Sequence, residues 1–397
     1  MRAKKVALSL LAVGLLLTAL TAQQSTSLTE LGGPLPGLTS DQLAKFTKGQ
    51  DAFQEVETPA DGLGPVFNDN SCAACHTTTV SGAPVVGGTN ARLETRFGHR
   101  TLTGFDPLAQ LGGSLIQDHG IGVFNGVDFE AETVPAEANV VAKRRTTPIF
   151  GLGLVDAVPD QTFLSLALVE RILSPRTAGT VSVVTNLTTG KNAVGRFGWK
   201  DQNPTLFQFS GDAYLNEMGV TSPQFPNENC PQGNCAMLIA NPMPQMNDDG
   251  TDVQEFADFM RFLAPPPRGA ITSAVKAGED IFQAVGCANC HMRTLTTGSN
   301  SVAALNNVTF HPYSDFLLHD MGSLGDGITQ GLATGRLMRT APLWGLRFQS
   351  SYLHDGRTSS LSSAILAHDG QGAMARDRYS RLTRDQKASL IAFLKSL

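Results

Sequence analysis

Four of the six cysteines stand in two copies of one pentapeptide, Cys72-Ala73-Ala74-Cys75-His76 and Cys287-Ala288-Asn289-Cys290-His291. C-x-x-C-H is the spacing at which two thiols can add across the two vinyl groups of one haem while the adjacent imidazole takes the iron from the proximal side. Two thiols and one imidazole must reach a single porphyrin from one tight loop, which is why the spacing is informative. A thioredoxin-like dithiol or half of a zinc site would also use C-x-x-C. Neither reading explains why each pair carries its own histidine and lacks a second pair of ligands. The sequence therefore predicts two covalently bound haem c groups, with His76 and His291 on iron.

The sixth ligand decides what each iron can do. A second strong donor makes an electron-transfer centre, and an open position can bind a small oxidant. Candidates are His99, His119, Met218, His311, His319, Met321, His354 and His368. The two remaining cysteines, in Cys230-Pro-Gln-Gly-Asn-Cys235, are spaced to close a small loop disulfide in an oxidising compartment, with a redox-active dithiol as the alternative.

Helices must carry these motifs. An amphipathic segment from Ser40 to Phe53 precedes the first, and one from Ile271 to Phe282 precedes the second. Each half closes on another apolar stripe: Val253, Phe256, Met260 and Leu263, then Leu390, Ile391, Phe393, Leu394 and Leu397. Capping boxes are expected at Thr251–Gln254 and Thr383–Gln386. Between the halves lies Ala264-Pro-Pro-Pro-Arg-Gly269, which cannot continue a helix. A third shared element, Arg145-Thr-Thr-Pro-Ile-Phe-Gly-Leu152, matches Arg339-Thr-Ala-Pro-Leu-Trp-Gly-Leu346. The expected fold is mainly α: two cytochrome c-like domains related by duplication, loop-rich with few short strands. The expected bounds are a signal peptide at 1–22, an N-terminal haem domain with insertions at 23–264, a Pro-rich linker at 265–270, and a C-terminal haem domain at 271–397.

The signal reading rests on Arg2, Lys4 and Lys5 followed by the apolar run Val6–Leu20, with cleavage after Ala22; an uncleaved anchor is the alternative. Loss of those three cations and no acid takes the formal charge from −5 to −8. That excludes nucleic acid and anionic membrane surfaces as partners, and nothing after the signal is apolar enough to span a bilayer. With 40 glycines and 21 prolines but only 7% aromatic residues, flat cofactors are expected to supply much of the apolar core.

Several segments carry a family likeness. They are Pro148-Ile-Phe-Gly-Leu-Gly-Leu-Val-Asp-Ala-Val-Pro159, Gly195-Arg-Phe-Gly-Trp-Lys200, Asn216-Glu-Met-Gly-Val-Thr221, Leu317-Leu-His-Asp-Met-Gly322, Arg339-Thr-Ala-Pro-Leu-Trp-Gly345 and Leu353-His-Asp-Gly-Arg357. With them the chain resembles the di-haem oxidoreductases, relatives of the bacterial di-haem cytochrome c peroxidases. The resemblance implies that His368 takes the place of the methionine ligand of the C-terminal haem, which lowers its potential. It implies His99, or else His119, as a displaceable ligand of the N-terminal haem. It also implies Trp199 between the haems, Gln208 positioning the oxidant, and Glu217 as proton shuttle. Simple packing is the alternative for Trp199, a cap or salt bridge for Glu217, and core filling for Met218. His354 fits a loop residue near a propionate. The family's interdomain calcium is not matched at Ser351 or at Thr146-Thr147, which leaves a bound calcium doubtful.

Three functions compete. The first is a periplasmic di-haem oxidoreductase that reduces hydrogen peroxide or another small oxidant at the N-terminal haem. Its electrons come through the C-terminal haem from a small cytochrome or cupredoxin, a donor implied by the resemblance. The second is a non-catalytic electron carrier with two six-coordinate haems. The third is an oxygenase acting on an organic substrate, which needs an apolar cavity at one haem.

Overall fold

The computed structural model describes residues 30–397, so the signal reading of residues 1–22 lies outside it. The elements that matter to the site are, in chain order, α1 (Ser40–Gln54), β1 (Leu93–Arg100), β2 (Val140–Arg145), α2 (Asp160–Leu173), the hairpin β3 (Ser182–Asn186) and β4 (Lys191–Gly195), α3 (Leu206–Met218), α4 (Thr251–Phe262), α5 (Ser273–Val285), the strand pair β5 (Leu318–Asp320) and β6 (Leu337–Arg339), α6 (Leu361–Leu366) and α7 (Arg384–Leu394). Among the described residues no helix is long and apolar enough to cross a membrane.

The expectation of a mainly α fold is overturned. The described residues are 35% helical and 18% strand, with several small sheets, and are loop-rich. The reason lies between the first C-x-x-C-H and Arg145. Leu93-Glu94-Thr95-Arg96-Phe97 alternates with period two, the signature of a strand with two different faces. β1 pairs antiparallel with β2 in the register Thr95↔Lys143 and with short strands at Leu115–Ile116 and Phe105–Asp106, forming a four-stranded sheet. The second half has only two-stranded pairs among the described residues, such as β5 with β6. A simple doubling of one helical domain therefore does not describe the chain.

Two helix crossings frame the haem motifs. α1 lies on α4 with Phe46 and Phe53 against Phe259, ring centroids 5.3 and 5.1 Å apart. α5 lies on α7 with Phe282 against Phe393 at 5.2 Å. Both crossings need glycine: a Cβ on Gly49 would collide with the Glu255 carbonyl, and one on Gly278 with that of Ser389. The expected capping box forms at Thr383 with Gln386, and a further one forms at Thr39 with Gln42. At α4 it does not: Gly250 is the N-cap, and Asp248 accepts instead from the Asp252 and Val253 amides.

The largest hydrophobic cluster joins residues from both sides of the 265–270 linker, including Phe150, Phe163 and Phe259 from one and Phe310, Phe316 and Trp344 from the other. Trp344 lies over Gly151, whose φ of +70° only glycine holds without strain.

Candidate active site

Each C-x-x-C-H lies at the mouth of its own cavity. At the first, Ser71 caps a single helical turn, its Oγ accepting from the Ala74 amide at 3.2 Å, and His76 ends that turn. Phe53, from the end of α1, packs on the His76 ring at 5.8 Å. At the second, Phe282 of α5 stands 6.4 Å from His291. Burial pushes both imidazoles down to about 4, leaving them neutral and able to ligate a metal. Burial also pushes the Cys72, Cys75 and Cys287 thiols up to about 12, which keeps them protonated at neutral pH in the empty cavities.

Four histidines line the C-terminal cavity of about 230 Å³, namely His291, His319, His354 and His368, and two of them face each other. His291 Nδ1 bonds to the Tyr313 carbonyl at 3.1 Å, and His368 Nδ1 to the Ala364 carbonyl at 2.9 Å, so each ring keeps Nε2 free. Their centroids are 6.5 Å apart. Two imidazoles bound end-on to one metal stand roughly 6–7 Å apart, given metal–nitrogen bonds of about 2 Å. The donor set therefore fits a haem iron with both axial positions filled. His319 is otherwise engaged: Nε2 bonds to Asp315 at 2.9 Å and Nδ1 faces the Cys290 sulfur at 3.5 Å. Met321 lines the same cavity, and His311 bonds to Thr294 outside it.

The N-terminal cavity, about 470 Å³, has a different lining. His76 is its one imidazole among the described residues, and the polar wall is built from Asn68, Glu94, Arg96, Arg144 and Glu217. Glu217 ends α3 and accepts from the Asn68 amide at 2.7 Å. Burial first, and the Glu94 carboxylate second, push Glu217 well above the ordinary range for a carboxyl. Glu94 is held by the Arg96 fork at 2.8 and 3.0 Å. Burial would push it up too, but Arg96 and then Arg144 outweigh burial and leave it below its ordinary value.

Three residues expected here stand elsewhere. Gln208 is nine residues before Glu217 on α3, about two and a half turns. It therefore faces the opposite side and pins the β3–β4 hairpin, accepting from the Leu187 amide and donating to the Thr185 carbonyl. His99 lies on the Phe97 face of β1, away from Glu94 and Arg96, with Nδ1 2.6 Å from the Glu137 carbonyl. His119 stacks on Phe67 at the surface, beside Asp118. Met218, by contrast, lines this cavity while being buried in the main hydrophobic cluster.

Arg145, Thr147, Gly198, Trp199 and Phe209 line both cavities. Trp199 stands in this shared wall, its indole N–H donating to the Arg145 carbonyl at 2.9 Å and its ring edge-on to His354. Arg145 Nη2 donates to Gln349 at 2.6 Å, while Nε and Nη1 are buried with no partner. A buried guanidinium with idle donors facing two cavities fits groups that bring carboxylates, as haem propionates do. Cys230 and Cys235 are disulfide-bonded, Cα atoms 4.4 Å apart, and line neither cavity.

Sequence reasoning missed Asn68, Glu94 and Arg96, and met Arg145 only as part of a repeat. The signal for Glu94 and Arg96 was present: a charged pair two apart, interleaved with Thr95 and Phe97, shares one strand face.

Residues 131–397 match the model of the family described as Di-haem oxidoreductase, putative peroxidase. Among solved structures, hydrazine synthase of Kuenenia stuttgartiensis is similar at 15% identity and a TM-score of 0.40 over 100% of each chain. A MauG-like protein associated with microbial copper homeostasis is similar at 16% identity and a TM-score of 0.38 over 92% of each. No curated protein matches the chain.

Proposed function

We propose, for a chain that belongs to the di-haem oxidoreductase family, that it is an exported c-type oxidoreductase reducing peroxide in the N-terminal cavity with electrons that enter through the C-terminal one. The carrying observation is the asymmetry of the cavities. One offers two facing imidazoles, His291 and His368; the other offers His76 alone and a buried carboxyl system around Glu217. Cys72 and Cys75 would anchor one haem with His76 on iron, and Cys287 and Cys290 the other with His291 and His368. Haem, when bound, supplies redox-active iron for electron storage and for cleavage of the O–O bond.

The remaining chemistry falls to side chains. Reduction of hydrogen peroxide to two waters takes two electrons and two protons. Glu217, kept protonated in a buried site, is placed to donate a proton at its carboxyl oxygen and to be refilled from solvent. The Asn68 amide fixes its orientation. Trp199 fills the wall between the cavities and excludes water from it. A small exported cytochrome or cupredoxin is the proposed electron donor, which agrees with an acidic chain whose two remaining cysteines are oxidised.

Glu217→Gln keeps the shape and removes the acid. Peroxide turnover by the holoprotein should fall roughly 10²–10⁴-fold, while reduction of the protein by its donor in the absence of peroxide stays intact. Unchanged turnover would remove Glu217 from the reaction. Low-temperature EPR of oxidised and half-reduced protein separates the electron-carrier reading, which requires two low-spin centres indifferent to peroxide.

A further inference from the structure

The N-terminal cavity holds more acid–base machinery than one glutamate. The Glu94 and Glu217 carboxyls line the same cavity, close enough that each shifts the other's proton affinity. Two carboxyls brought together in a buried site avoid mutual repulsion when one of them keeps a proton. Arg96 settles which one. Its guanidinium grips both Glu94 oxygens, and Arg144 Nη1 stands 3.9 Å from the same group. No cation is bonded to Glu217: its hydrogen-bond partner is the neutral Asn68 amide, and Arg96 acts on it only through space.

We propose that Glu94, clamped as a carboxylate by Arg96, keeps the proton on Glu217, so that the Glu94–Glu217 pair is the proton-holding unit of this cavity. The inference deepens the peroxide reading and rests on it for the use made of the proton, though not for where the proton sits. Glu94 and Arg96 are positioning residues: they act through Glu217. When Glu217 gives its proton to an oxygen of the oxidant it becomes a carboxylate beside Glu94. That repulsion favours rapid reprotonation from solvent, so the pair is restored with no change in the net proton count over a turnover.

The other charged groups around Glu217 are already committed. On its own helix, Asp212 accepts from Asn203 and Asn216. From the loop before the first haem motif, Asp69 pairs with Arg92. Asp118 stands between Arg92 at 3.6 Å and His119 at 2.7 Å. Arg144 of β2 is held by Asp326. The Cys75 sulfur, with its thiol pushed up to about 12, brings no charge at neutral pH. Glu94 is thus the anion with direct access to Glu217, and Arg96 is the cation that sets the charge of Glu94.

The test reads the proton itself. Infrared difference spectra of the holoprotein are recorded across pH, and the carboxylic C=O band that disappears in Glu217→Gln is assigned to Glu217. Glu94→Gln, which removes the neighbouring charge and leaves Arg96, should move the titration of that band toward acid by about one pH unit or more. Arg96→Gln, which frees Glu94 to take a proton, should bring a second carboxylic band, from Glu94, at neutral pH, and Arg96→Lys should remove it again. A merely structural role predicts no such band that the conservative variant reverses. A Glu217 band that stays in place in Glu94→Gln, or moves alkaline, overturns the proposal. If Glu94→Gln does not fold, the Arg96 pair decides by itself: no second carboxylic band in Arg96→Gln overturns the proposal. Peroxide turnover measured on the same samples separates the two claims. Shifted bands without any peroxide turnover in the wild type keep the carboxyl pair and discard the peroxidase reading; intact turnover with unmoved bands does the reverse.

Discussion

Asp326 offers a sharp test of how the N-terminal cavity is held. Its Oδ2 accepts from Arg144 Nε at 2.7 Å and its Oδ1 from Lys200 Nζ at 2.9 Å, and none of the three side chains exceeds 1% exposure. Asp326→Asn keeps the volume and removes the one anion between two buried cations. Breaking a buried ion pair from one side costs about 3–5 kcal/mol. Lys200 can relieve part of this. Burial, opposed by Asp326, holds its pKa at about 8, so losing the proton at pH 7 costs only about 1.4 kcal/mol. Arg144 cannot follow, because a guanidinium stays charged. The expected loss at pH 7 is therefore about 3–4 kcal/mol. The pH dependence has a definite sign. The folded pKa of Lys200 lies below its ordinary value of 10.5, so the penalty for burying its charge is complete below about pH 8 and shrinks as the pH rises from there toward 10.5. At pH 9 Asp326 has one cation left to balance, and the loss should shrink by about 1 kcal/mol. Urea unfolding of wild type and variant holoprotein at pH 7 and pH 9, followed by far-UV circular dichroism, measures both numbers. A loss under about 1 kcal/mol at pH 7, or the same loss at both pH values, would refute the reasoning.

Three further outcomes follow from the site. His368→Met exchanges an imidazole for a thioether and should raise the potential of the C-terminal centre in a spectroelectrochemical titration; an unchanged potential would mean that His368 is not its ligand. Gln208→Ala should lower stability by about 1 kcal/mol through the loosened β3–β4 hairpin and leave peroxide turnover in place, whereas a large loss of turnover would put Gln208 back in the cavity. Replacing Cys230 and Cys235 together by serine should cost up to about 2 kcal/mol, as the opening of so short a loop implies, with turnover unaffected; a fall in turnover would point to a redox role for the pair.

What the sequence disclosed and what it hid follow from how local each feature is. C-x-x-C-H, the apolar helix stripes and the Cys230–Cys235 pair are contiguous, so spacing alone exposes them. His368 was reached through a resemblance, and its placement opposite His291 depends on the fold. Gln208 was misplaced because a motif read as a string ignores the helix that carries it; once Leu206–Met218 is known to be one helix, half a turn separates Gln208 from Glu217. His99 was misplaced for the same reason on a strand, where its parity with Phe97 puts it on the far face. The sheet around β1 was missed because no element was assigned between the first haem motif and Arg145. Its period of two was visible but was not given weight. Arg144 with Asp326, 182 residues apart, could not be read at all without the fold.

That long-range pairing also bears on how the cavities divide the work. Gln330 lines the N-terminal cavity, and Asp326 holds the Arg144 that faces Glu94, so residues beyond the second haem motif help to build the walls of the first cavity. The hydrophobic cluster crosses the Pro-rich linker in the same way. A rigid shared wall suits electron movement, since Trp199, Arg145 and Phe209 then keep fixed positions against both cavities. Proton handling needs the opposite: a group whose charge can change cheaply. Placing Glu217 next to a clamped anion supplies that at one carboxyl, while the surrounding ion pairs stay locked. The C-terminal cavity has no comparable carboxyl pair in its lining, and His291, His354 and His368 there are each shifted by burial toward the neutral form. The proposed function would thus place electron and proton roles in separate cavities, and a substitution at His368 should alter potential without moving the Glu217 titration, while one at Glu94 should do the converse.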